Sequence, residues 1–366
     1  MIVATTSFPS YGEPPLFVAH PAKRSTRTFP FATPFDFVGN LRTAEGATIR
    51  YGIARPAHAL KRGSVLLLQG RAECLEKYRE IVEGLTARGL YVYSFDWHGQ
   101  GMSDRFPKGR KKVDVTSFDD YLEDIALFIR EVWCVPEANR YVIAHSTGGH
   151  VALRFMAERR LKVDGALLCA PMIDLKTKGW PRWFAPILVG AVAGMGFADL
   201  QAPGERHHLP SLRRFEGNAL TSDPERFRVL PELVKSNPLL ERRGATYRWV
   251  RSAFASIAKL NARGIPESID VPVTILIGDD DRIVDADAAK RFARRLPNGR
   301  LQLLKGARHE IMMERNAILK RFWLAVDTMT ERGRAGLPTV RGGNGMVKKV
   351  RNASAKTDVP KPACRS

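Results

Sequence analysis

A serine hydroxyl is a weak nucleophile until a neighbouring base takes its proton and a carboxylate orients that base. Ser146 has a sequence setting suited to this: the apolar run Tyr141-Val142-Ile143 leads into Ala144-His145-Ser146-Thr147-Gly148-Gly149 and then into a helical pattern. It therefore falls on a sharp strand-to-helix turn, where only small neighbours fit and where Oγ projects above the strand ends at a helix N-terminus. The first position of G-x-S-x-G is Ala144, still small enough for the packing there. Where such a turn carries the nucleophile, the order along the chain is serine, acid, histidine. His309, in the loop Lys305-Gly306-Ala307-Arg308-His309-Glu310 beyond the final strand, is then the base. The acid should come after the preceding strand, and Gly278 to Asp285 supplies Asp279, Asp280, Asp281 and Asp285. Spacing alone does not decide among them, although Asp285 reads as the N-cap of a helix starting at Ala286. An oxyanion also needs two backbone donors, here assigned to the N–H of Thr147 and to that of Arg71 in the loop Gln69-Gly70-Arg71-Ala72-Glu73.

These residues need strands and helices to position them. Short apolar runs alternate with longer amphipathic ones, the pattern of a mostly parallel twisted sheet with helices on both faces. An antiparallel pair, Phe35 to Arg42 and Thr48 to Ala54, opens it around the turn Thr43-Ala44-Glu45-Gly46. Further strands are expected at Ser64 to Leu68, Leu90 to Phe95, Arg140 to Ala144, Gly165 to Cys169, Val273 to Ile277 and Arg300 to Leu304. Helices are expected at Tyr78 to Arg88, Phe118 to Trp133, Gly148 to Arg159, Ala286 to Leu296 and Asn316 to Thr328. The alternation breaks between Met172 and Ser268, an interval rich in aromatic residues that reads as an inserted helical cap. Ligands bind outside the carboxyl ends of parallel strands, so an insertion there covers the site. The expected organisation is a core of residues 35–171 and 269–332, a cap of 172–268, an N-terminal extension of 1–34 and a disordered basic tail of 333–366.

Composition sets the outer limits. With 44% hydrophobic and 26% charged residues over 366 positions, the chain is neither fibrous nor disordered. Its longest apolar run, Phe184 to Leu200, falls short of the roughly 20 residues of a membrane span. The first twenty residues lack Lys and Arg and are broken by Pro9, Pro14 and Pro15, so no secretory signal is legible and a cytoplasmic location is expected. Cys74, Cys134, Cys169 and Cys364 are too dispersed for a disulfide framework or a zinc site. Lys and Arg exceed Asp and Glu by 20, which favours an anionic partner, and Gly333 to Ser366 alone holds eight basic residues against Asp358. With no recognisable nucleic-acid module, nucleic acid is not expected as a partner, and the tail reads either as a peripheral contact with an anionic membrane surface or as a solubilising segment without a partner.

From about Phe35 to Thr328 the chain resembles the α/β-hydrolase superfamily and, within it, the monoacylglycerol lipase and lysophospholipase group. The resemblance is carried by Gln69 to Glu73 with Lys77-Tyr78, by Asp96-Trp97-His98-Gly99-Gln100-Gly101-Met102-Ser103, and by the serine turn. Asn218-Ala219-Leu220-Thr221-Ser222-Asp223 in the cap, Gly278 to Asp285 and Gly306 to Glu310 complete it. It implies an α/β-hydrolase fold and, by the pattern G-x-x-D-x-x-V/C-D, the acid at Asp281. The Gly-Arg-x-Glu form of the oxyanion loop looks more like bacterial lysophospholipases than the His-Gly-x-x-Glu-His form of monoacylglycerol lipases.

The implied activity is a serine carboxylester hydrolase that releases fatty acid from a lysophospholipid or monoacylglycerol, with no metal or organic cofactor. A peptidase or iminopeptidase on the same fold is the alternative among enzymes, and a non-catalytic binding protein the alternative outside them. Asp96 and His98 read as shaping their loop, and Glu73 as a substrate contact or a structural hydrogen-bonding group. His207-His208 read as exposed cap residues, since adjacent side chains point apart and no third metal ligand is evident.

Overall fold

The computed structural model of the chain describes residues 33–335 apart from 57–61, 106–111, 134–138, 159–160, 177–180, 182 and 203–213. Its main sheet is built from β1 (Phe37–Arg42), β2 (Thr48–Ala54), β3 (Gly63–Leu68), β4 (Leu90–Phe95), β6 (Arg140–His145), β7 (Gly165–Cys169), β9 (Val273–Gly278) and β10 (Gly299–Leu304). The order across it is β1-β2-β4-β3-β6-β7-β9-β10. β1, β2 and β4 pair antiparallel, and every pairing from β4 through β3 to β10 is parallel. The opening hairpin closes as expected, with the Thr43 N–H on the Ala47 carbonyl at 2.8 Å.

Alternation along the central strands sends side chains to two separate cores. Leu66, Leu68, Val142, Ala144, Leu168 and Ile275 face α2 (Phe118–Glu131), α3 (Thr147–Ala157) and α7 (Ala286–Ala293). Val65, Leu67, Tyr141, Ile143, Leu167 and Leu276 face α1 (Arg79–Ala87) and α8 (Asn316–Ala335). Both faces of β3, β6 and β7 are thus covered, which is why these strands read as continuous apolar runs. Helix starts reflect local chemistry: Ser117 and Asp120 form a capping box on α2, and Asp285 caps α7 through the N–H groups of Asp287 and Ala288. α8 runs to Ala335, past the expected end at Thr328 and into the segment assigned to the tail. Gly333 weakens a helix without ending it, and the first strong breaker, Pro338, comes later.

Between β7 and β9 the inserted segment carries α4 (Phe184–Val192) with a π-helical turn at Ala193–Phe197, then α5 (Pro224–Ser236), β8 (Arg243–Ala245) and α6 (Tyr247–Asn261). α6 contributes Trp249, Ala253, Ile257 and Leu260 to the same core as α2 and α3. β8 pairs in parallel with β5 (Lys112–Val113), a small second sheet absent from the sequence reading. Among the described residues no helix is long and apolar enough to cross a membrane.

Candidate active site

Ser146 sits between β6 and α3 with φ +48° and ψ −113°, a conformation in which a non-glycine residue is strained. The turn leaves no room for a side chain at Gly148, where a Cβ would lie 2.5 Å from the carbonyl oxygen of Gln69. His309 Nε2 lies 2.9 Å from Ser146 Oγ, and its Nδ1 lies 2.8 Å from Asp281 Oδ2. Asp281 is 1% exposed, His309 3% and Ser146 8%, so the hydrogen-bonded chain is shielded from water along its length. The other oxygen of Asp281 accepts the N–H groups of Ile283 at 2.8 Å and Val284 at 3.0 Å.

Burial works to raise the Asp281 carboxyl, but the facing His309 and these hydrogen bonds outweigh it and hold the group below its ordinary value. Burial likewise works to lower His309, and attraction to Asp281, assisted by Glu310 and Glu73, leaves it raised. With Nδ1 facing an ionised carboxylate, the neutral ring carries its proton there and Nε2 is free to accept from Ser146. This arrangement can deprotonate a serine hydroxyl and hold the charge that appears on the imidazole.

The other three acids of the β9 loop are turned elsewhere. Asp279 accepts the Gly306 N–H at 2.7 Å, Asp280 pairs with Arg282 and Arg308, and Asp285 caps α7. The proposed oxyanion donors, Arg71 and Thr147, sit differently. Arg71 lines the cavity with Ser146 and His309, and Thr147 is the first residue of α3, where backbone N–H groups have no acceptor within the helix.

Glu73 is bound within the protein. Its carboxylate accepts from the Gly70 N–H, from Lys77 Nζ and from the Tyr78 hydroxyl, and lies 3.2 Å from His145 Nδ1. Desolvation opposes its charge, yet Lys77 and His145 hold it well below the usual carboxylate range. Lys77 also reaches Glu310 at 2.8 Å. One buried ammonium thus ties the oxyanion loop to the residue after His309, a link the sequence reading did not identify. Asp96 accepts from Gln69, from the Leu75 N–H and from the Met102 N–H, while His98 faces Asp124 at 2.7 Å, so both shape loops. The cap motif is a strap: Asn218 folds it by accepting the N–H groups of Leu220 and Thr221, and the Leu220 carbonyl takes the Glu310 N–H at 2.7 Å. His207 and His208 lie outside the described residues, among which no cluster could hold a metal ion.

The strained serine and the buried histidine and aspartate are carried by a mostly parallel sheet with helices on both faces, the architecture of an α/β-hydrolase. The model of the family described as serine aminopeptidase, S33, matches residues 59–316, and the chain belongs to this family of α/β-hydrolases. Lysophospholipase L2 of Escherichia coli (strain K12) is 31% identical over 265 residues, covering 69% of this chain and 76% of that protein. Probable lysophospholipase L2 of Haemophilus influenzae is 27% identical over 269 residues, 73% of this chain and 82% of that protein. The crystal structure of a soluble variant of monoglyceride lipase from Saccharomyces cerevisiae, in complex with a substrate analog, superposes with a TM-score of 0.62 at 21% identity. The match covers 83% of this chain and 99% of that one and speaks for the fold.

Proposed function

We propose that this α/β-hydrolase, a carboxylic ester hydrolase, releases a fatty acid from a lysophospholipid or monoacylglycerol through an acyl-enzyme on Ser146. The observation that carries the reading is the continuous chain Ser146 Oγ, His309 and Asp281 at 2.9 and 2.8 Å. In the proposed sequence His309 Nε2 takes the hydroxyl proton as Oγ attacks the acyl carbonyl, and the N–H groups of Thr147 and Arg71 receive the oxyanion. Collapse expels the glycerol oxygen, which leaves with the proton from His309. Water, deprotonated by the same nitrogen, then attacks the acyl-enzyme, frees the fatty acid and restores Ser146.

The family's description as aminopeptidases favours a second reading, a peptidase. Such an enzyme needs a carboxylate to anchor the substrate's free ammonium, and the two glutamates lining the cavity, Glu73 and Glu310, are both engaged by Lys77. The ester reading is therefore preferred. The experiment is a comparison of lysophospholipids, monoacylglycerols, short p-nitrophenyl esters and aminoacyl p-nitroanilides, together with fluorophosphonate labelling. Ester turnover and labelling that disappears in Ser146→Ala are expected. Undiminished labelling of that variant would exclude Ser146 as the nucleophile, and a preference for the anilides would favour the peptidase.

The proposed organisation retains a core of 35–171 and 269–332 under a cap of 172–268, and the proposed setting is the cytoplasmic face of a membrane. Exposed Trp183, Ile187, Leu188, Met195, Phe197 and Leu200, all on or beside α4 and its π-helical turn, support contact with a lipid surface. The basic tail, proposed to add attraction to anionic lipid, lies almost wholly outside the described residues.

A further inference from the structure

The cavity that holds Ser146 and His309 is also lined by Arg71, Arg242 and Arg243. Arg242 immediately precedes β8 and is 1% exposed. Its Nη1 donates to the carbonyl oxygens of Leu239 at 2.8 Å and Glu241 at 2.7 Å, and its Nη2 to that of Gly101. Nε is buried and has no partner. Arg105 donates to the same Leu239 oxygen, which brings a second guanidinium close. Burial first, and then repulsion from Arg105, lowers Arg242 to about 10. Asp96, the carboxylate whose charge Arg242 feels, is already engaged by Gln69, two backbone N–H groups and the nearby Arg50. A guanidinium removed from water normally has a carboxylate against it, because desolvating an uncompensated charge is costly. Here carbonyl oxygens hold the guanidinium at the cavity wall, Nε is left without an acceptor, and no carboxylate lies in salt-bridge contact with it among the described residues.

Resting on the ester-hydrolase reading, we infer that Arg242, with Arg243 and Arg71 beside it, forms a subsite for the phosphate of a lysophospholipid headgroup. Guanidinium and phosphate match in geometry and form charge-assisted hydrogen bonds. Arg242 and Ser146 line one cavity, as the substrate's dimensions require. Only the three glycerol carbons separate the scissile ester oxygen of a 1-acyl lysophospholipid from its phosphate oxygen, so a cation that reads the phosphate must line the nucleophile's own cavity. A monoacylglycerol offers a hydroxyl at that position and leaves the charge of Arg242 unanswered. The subsite therefore selects lysophospholipid over the neutral glyceride.

The test compares lysophosphatidylethanolamine and monoacylglycerol of the same acyl chain in neutral detergent micelles, using the full-length protein. The wild type is expected to favour the phospholipid in kcat/KM. Arg242→Met should reduce that preference about tenfold or more, mainly through KM, and Arg242→Lys should restore part of it. An unchanged preference in Arg242→Met would overturn the inference. Because Arg242 also holds three carbonyl groups, a second measurement uses the unaltered enzyme: glycerophosphoethanolamine should inhibit hydrolysis of p-nitrophenyl butyrate competitively, and glycerol should not. Absence of that inhibition, or equal inhibition by inorganic phosphate, would overturn the headgroup assignment. Failure to hydrolyse p-nitrophenyl butyrate at all would instead remove the ester-hydrolase reading on which the subsite rests.

Discussion

The two oxygens of Asp281 have separate partners, one facing His309 and the other holding the turn at Ile283 and Val284. Asp281→Asn keeps the size of the group and removes its charge. On a short soluble ester it is expected to lower kcat by about 10⁴-fold, whereas Asp279→Asn and Asp280→Asn should retain most activity. The pH profile gives a second readout. His309 must be neutral to accept the serine proton, and Asp281 raises its pKa. The wild-type kcat/KM should therefore fall with acid through a midpoint above the ordinary histidine value of about 6.5. In Asp281→Asn that midpoint should move to lower pH; a midpoint that stays put would detach the two groups functionally. Ser146 and His309 could be placed from sequence because their surroundings are local: a strand, a small-residue turn and a helix for one, a loop after the last strand for the other. The acid could not be placed by spacing, since Asp279, Asp280 and Asp281 are consecutive and the path of the loop alone decides which faces inward. Asp285 was legible because the helical pattern beginning at Ala286 marks the residue before it as an N-cap.

The short turn Leu75–Tyr78 supplies a tie between the loops around the serine. Lys77, on that turn, bridges Glu73 and Glu310. Lys77→Met would leave two buried carboxylates without their cation, and a loss of about 3–5 kcal/mol in urea unfolding is expected. A loss below about 1 kcal/mol would mean that the two glutamates find other partners. The central strands β3, β4, β6 and β7 were readable because both their faces are buried, giving unbroken apolar runs. The paired β5 and β8 were not: strands of two and three residues have no periodicity to detect. Arg242 stands next to β8, so its approach to the serine was hidden with it. The run Phe184 to Leu200 stands out by composition, but composition does not reveal the turn at Gly196, φ +92°, that divides it.

At the scale of the whole molecule, the proposed contact with a lipid surface rests on two different forces that respond differently to salt. Replacing Ile187 and Met195, both exposed, with serine should weaken binding to neutral and anionic vesicles alike, at any ionic strength. Deleting residues 336–366, which leaves α8 intact, should weaken binding only to anionic vesicles and only at low salt, because screening removes the same attraction. Co-sedimentation with vesicles of each composition distinguishes them, and equal binding by full-length and truncated protein at low salt would remove the tail's role. The sequence supplied the net charge of +20 but not which surface presents it. The separation of 163 residues between Ser146 and His309 has a consequence for biosynthesis. A ribosome delivers the strained serine long before it delivers the histidine, so on the proposed mechanism a chain halted before β10 carries the nucleophile without its base. On the proposed mechanism, competence for acyl transfer then arises only once β10 and the loop after it have been made, after the sheet's central strands have had time to form, and chains terminated before His309 lack it.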